Sequence, residues 1–112
     1  MRTNEERFAD ILAATTDAAR LVEGGYHAFV SDPLLIRAAK NIISEIGEAT
    51  KGIDDAALDD VPGVPWKAVK GMRDKVVHDD PDVDLDVLWD TLAHGLPMVH
   101  SAIVEYNDRL SR

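Results

Sequence analysis

Apolar residues recur along this chain at helical spacing, and polar breaks cut the pattern into a few long segments. The first segment carries Phe8, Ile11, Leu12, Thr15, Ala19 and Val22. Thr3 and Glu6 stand three apart just ahead of it, the spacing of a capping box, so a helix is predicted from Thr3 to about residue 23. Gly24 and Gly25 stop it. Residues 26–31 read as a connector. Asp32 is then a good N-cap and Pro33 a good first helical residue. The second helix runs from Pro33 to about residue 50 along Leu35, Ala38, Ala39, Ile42, Ile43 and Ile46, and Gly52 ends it. Residues 54–60 read as a short acidic turn or helical turn, and 61–65 as a rigid loop with two prolines. Pro65 opens a third helix through Trp66, Val69, Met72, Val76 and Val77, ending near His78, because Pro81 disfavours helical geometry just before it.

The last segment has the cleanest period. Leu85, Trp89, Leu92, Leu96, Val99, Ile103, Tyr106 and Leu110 alternate steps of four and three, the seam of a packed bundle. Asp84 is its predicted N-cap, and Pro97 should kink it. No convincing strand pattern and no repeat appear. The expectation is one all-α domain over residues 1–112, an up-and-down bundle of four to five helices with short connections.

Composition narrows the function classes. Hydrophobic residues make up 46% of the chain, which favours folding over disorder. With no cysteine there is no disulfide and no thiolate metal site, which fits a reducing cytoplasm. No stretch approaches the ~20 apolar residues of a membrane span, and no leader pattern is read at the N-terminus. The net charge of −9 argues against broad nucleic-acid binding, so any RNA contact must use a local basic site or a basic partner.

The candidate chemistry lies in residues 71–80. Arg73, Asp74 and His78 place a cation, a carboxylate and an imidazole together. Such a set can act on a phosphodiester without a metal or cofactor: Arg73 binds phosphate, His78 moves a proton and Asp74 holds the imidazole. Asp74 and His78 share a helix face, whereas Arg73 and His78 stand roughly 140° apart on an ideal helix. Convergence therefore needs the helix to end, a long arginine reach, or a second copy of the chain. The plain alternative is an i,i+4 ion pair on a surface helix. Lys67, Lys70 and Lys75 form the compact basic cluster, available to RNA phosphates or simply solvated. The acids of residues 79–86 do not fit a calcium loop, since the positions that need Gly and Glu are Leu85 and Thr91 when counted from Asp80. His94 and His100 are six apart, off ligand spacing for one face, and read as structural or solvated. No metal site is predicted.

Pro65-Trp66, Gly71-Met72-Arg73-Asp74, His78, Val83-Asp84 and Trp89, with Ile46-Gly47-Glu48-Ala49 upstream and Leu96-Pro97 downstream, resemble the HepT-like (DUF86) family of HEPN-domain proteins. The resemblance runs from about Phe8 to Leu110. Its motif is Arg, a polar residue, three more residues and His, then Tyr two positions on. The resemblance implies a homodimer with facing motifs and a metal-independent RNA endonuclease acting as the toxin of a toxin–antitoxin pair. It implies His78 as general base on a ribose 2′-hydroxyl, Arg73 as stabiliser of the charged transition state, and Asp74 as the residue that orients the site. The products would carry cyclic phosphate and 5′-hydroxyl ends. The second helix would flank the cleft, with Asn41 or Glu48 lining it, though solvated surface is an equal reading of both. The implied antitoxin is an MNT-type nucleotidyltransferase that adenylylates the motif tyrosine. That position is Asp80 here, which has no phenolic hydroxyl to modify. A second reading follows from the acidity of the chain and from Asp80: a non-catalytic helical partner that restrains such a transferase.

Overall fold

A computed structural model describes residues 1–77 and 84–112 of the chain, with side chains except at 75–77. Its described elements are α1 (Asn4–Leu21), α2 (Tyr26–Val30), α3 (Pro33–Lys51), α4 (Asp55–Asp59), α5 (Trp66–Val77), α6 (Leu85–Asp90) and α7 (Leu96–Leu110), with a π-helical turn, Thr91–Gly95, between the last two. No strand occurs among the described residues. The architecture is an all-α bundle: α3 packs on both α1 and α5, and α1 packs on α7.

Local signals in the sequence explain most boundaries. The capping box forms: Glu6 N–H donates to Thr3 Oγ1 at 3.0 Å, and Thr3 N–H donates to Glu6 Oε1 at 3.0 Å. The backbone bond from Thr3 holds the Glu6 carboxyl below its ordinary pKa. Asp32 caps α3 by accepting from Leu34 N–H at 2.9 Å, with Pro33 following as the first helical residue. Asp84 caps α6, accepting from Asp86 and Val87 N–H at 2.9 and 3.2 Å.

The connector expected at 26–31 is instead a short helix. Gly25, at φ +91°, turns the chain into α2, and the Phe29 side chain is fully buried. Local propensity is too weak to announce five helical residues; the burial of one ring holds them. Tyr26 donates a hydrogen bond to Asp86, and Trp89 lies edge-on to Tyr26 and tilted against Phe29, with ring centroids 5.7 Å apart in both pairs. That hydrogen bond pushes the Tyr26 phenol pKa upward. Thus α2 clasps α6.

The expected interruption at Pro97 takes the form of the π turn. Pro97 cannot donate to Ala93 O, and its ring would crowd that carbonyl. The turn before it widens, and Leu96 N–H bonds to Thr91 O. Leu92, Leu96, Val99 and Ile103 are buried as the seam predicts, while Leu110 is exposed. On α1 the small residues Ala14 and Ala18 are buried, whereas Ala19, expected in the apolar stripe, faces solvent. Trp66 packs partly buried against the core, donating Nε1–H to Val61 O at 3.0 Å and meeting Phe8 edge-on. No helix among the described residues is long and apolar enough to cross a membrane.

Candidate functional site

The site is built where α3 and α5 approach closely. Gly47 makes that approach possible. A methyl group there would stand 2.9 Å from Arg73 Cβ and 3.3 Å from its backbone nitrogen, inside ordinary contact distance. A helix-interior glycine costs roughly 1 kcal/mol relative to alanine, so this one trades propensity for proximity. The contacts Gly47–Arg73 and Lys51–Asp74 join α3 to α5, and Asp55 of α4 pairs with Lys70 of α5.

Four charges meet at this contact. Arg73 Nε lies 2.7 Å from Glu48 Oε1. The N–H does not point along that line, so the contact is an ion pair, and the buried Nε has no hydrogen-bond partner among the described residues. Arg73 Nη1 lies 3.7 Å from Asp74 Oδ1, and Lys51 Nζ lies 3.6 Å from the same oxygen. The charges of Lys51, Arg73, Glu48 and Asp74 cancel. The Arg73 side chain is 32% exposed and that of Asp74 57%, so solvent and an incoming anion can reach both. Ion pairs at such exposure contribute about 0–1 kcal/mol each and give way readily to a better-fitting partner.

The chain matches the model of the family described as "Ribonuclease HepT-like" over residues 11–105. It belongs to this HepT-like ribonuclease family. Several relatives in it are similar along most of their length. A candidate RNase of Caldanaerobacter subterraneus subsp. tengcongensis is 31% identical over 106 residues, covering 94% of this chain and 95% of the relative. The "Probable ribonuclease HepT" of Thermococcus cleftensis is 31% identical over 93 residues, 79% and 84% of the two chains. A candidate RNase of Methanocaldococcus jannaschii is 30% identical over 91 residues, 80% and 78% of the two. No solved structure matches the chain.

Within the HepT-like frame, the structure brings Arg73, Asp74 and Glu48 together. His78 and Asp80 lie outside the described residues, as does the predicted helix end near His78. Asn41 stands apart. It lies seven residues before Glu48, about 10 Å along the helix axis, and donates to Glu45 Oε1 at 2.8 Å. It lines a groove between α1 and α3 with Asp17 and Arg20. Lys70 is taken up by Asp55 at 3.0 Å, Lys67 is exposed, and the side chain of Lys75 is outside the description. On the helical wheel Lys67 points about 120° away from Arg73.

His94 and His100 each have a structural partner. His94 Nδ1 pairs with Asp90 at 2.9 Å on the exposed π turn. His100 Nδ1 sits 2.8 Å from Thr15 Oγ1, whose hydroxyl hydrogen goes to Leu12 O at 3.0 Å. His100 must therefore donate from Nδ1. Among the described residues, no three His, Asp or Glu side chains gather as metal ligands.

Sequence reasoning missed Lys51. It lies just past the predicted helix end at about residue 50, and its partner Asp74 is far along the chain. The available signal was Gly47-Glu48: a glycine inside a helix marks a close approach, and the residues one turn on belong to the same contact.

Proposed function

We propose that this protein is a metal-independent RNA endonuclease of the toxin type, acting as a homodimer. The observation that carries this reading is the family match over residues 11–105, which encloses Arg73, Asp74 and His78. Relatives named as RNases support it. In this reading His78 takes the proton from a ribose 2′-hydroxyl, whose oxygen then attacks the adjacent phosphorus. The bond from phosphorus to the 5′-oxygen breaks as that oxygen gains a proton, leaving cyclic phosphate and 5′-hydroxyl ends. Arg73 stabilises the charge that builds on the phosphoryl oxygens. Asp74 orients the site. A residue from the second copy serves as acid, and Lys67, Lys70 and Lys75 supply further phosphate contacts. Expression of the chain alone tests the reading through RNA integrity and growth. His78→Ala is expected to lower RNA cleavage by at least about a hundredfold, the scale of one acid–base group. Cleavage equal to the parent's would exclude His78 as the base.

The net charge of −9 favours one rival, a non-catalytic partner that restrains an MNT-type nucleotidyltransferase. Growth arrest by the neighbouring transferase alone, relieved by this chain, would select that rival. In the toxin reading, Asp80 removes the phenol that a partner transferase would modify. Tyr26 is bonded to Asp86, and Tyr106 packs against Phe8, so neither offers a free replacement. Incubation with the transferase and ATP is expected to leave the parent mass unchanged and to add AMP to Asp80→Tyr. An AMP adduct on the parent's motif segment would overturn this.

A further inference from the structure

Asp74 Oδ1 is approached by two cations from two different helices. Arg73 Nη1 comes from α5 at 3.7 Å, and Lys51 Nζ from the last turn of α3 at 3.6 Å. Both distances exceed hydrogen-bond length, so neither cation hydrogen-bonds this oxygen. A carboxylate oxygen between a guanidinium and an ammonium occupies the position that a phosphoryl oxygen would take. Phosphate offers more oxygens and more charge than one carboxylate, and both cation types bind it well. The Asp74 side chain is largely exposed and can swing out.

The placement of Lys51 has a bland explanation. A lysine in the last turn of a helix interacts favourably with the helix dipole. That explanation does not require Nζ to cross to α5, where it meets the residue next to Arg73. The chain is also strongly acidic, and Lys70 is paired with Asp55. A local basic site must therefore come from the few cations that converge.

We propose that Lys51 is a phosphate-binding residue of this site, sharing with Arg73 the RNA phosphate that displaces the Asp74 carboxylate. The proposal rests on the ribonuclease reading and adds to it a binding residue outside the Arg-x4-His motif. Asp74 then has a second consequence: it occupies the anion site until RNA arrives.

The test measures binding of the full chain to a short, fully 2′-O-methylated RNA, which cannot be cleaved, across a range of salt concentrations. Cleavage of unmodified RNA is followed in parallel, and thermal melting by circular dichroism monitors folding. Lys51→Gln is expected to weaken binding about tenfold and to flatten the salt dependence by roughly one phosphate contact. Lys51→Arg should stay within about threefold of the parent, because charge is what this position supplies. Asp74→Asn should tighten binding several-fold by removing the competing anion. If the parent binds and cleaves while Lys51→Gln binds equally well with an unchanged salt slope, Lys51 is a helix-end residue only and the proposal fails alone. If the parent neither binds nor cleaves RNA, the ribonuclease reading fails and takes this proposal with it.

Discussion

Arg73→Ala is expected to lower RNA cleavage by about a hundredfold or more while leaving the fold intact. A hundredfold loss corresponds to about 2.7 kcal/mol of transition-state stabilisation, the scale of removing one preorganised electrostatic group. The cost to stability should be small for two reasons. The ion pairs to Glu48 and Asp74 are solvent-accessible and contribute little. Alanine also keeps the Cβ and backbone nitrogen that pack against Gly47, so α3 and α5 remain in register. Arg73→Lys keeps the charge but loses the planar fork, and an intermediate loss of about tenfold is expected. Initial rates on single-stranded RNA and thermal melts of the same preparations decide the matter. Arg73→Ala cleaving within threefold of the parent would remove Arg73 from the site. A large drop in melting temperature would instead assign it to the α3–α5 packing.

The contrast between rate and stability follows from how the site is built. Its position comes from a glycine and a backbone approach, whereas its charges sit at the surface of that contact. The glycine was visible in the sequence, and so were the caps. Thr3, Asp32 and Asp84 act within three residues of themselves, and each caps the helix it announces. The apolar seam of the last helices was equally legible, because burial of Leu92, Leu96, Val99 and Ile103 follows from period alone. What escaped depended on distance along the chain. The Lys51–Asp74 contact exists because two helices cross at Gly47, and no local rule pairs those two residues. The π turn at Thr91–Gly95 shows the same limit in milder form. Pro97 announces a disturbance, but whether a helix answers by bending or by widening depends on the packing around it.

Phe29→Ala is expected to destabilise the protein by about 3–5 kcal/mol, the cost of truncating a buried phenylalanine. For a domain held together by about 5–15 kcal/mol, that is a large fraction of the total, and the melting temperature should fall by about 10–25 °C. The ring is fully buried and leans on Trp89 of α6. A five-residue helix has no stability of its own, so α2 depends on this contact and on the Tyr26–Asp86 hydrogen bond. The consequence reaches the site through chain connectivity. Helices α5 and α6 hold the two ends of the segment that carries His78 and Asp80, and α2 is what clasps α6. Urea titrations followed by circular dichroism provide the measurement. The midpoint should drop with little change in slope, the signature of lost stability without a changed extent of unfolding. A loss below about 1 kcal/mol would mean that α2 is a peripheral turn and that Trp89 holds α6 without it.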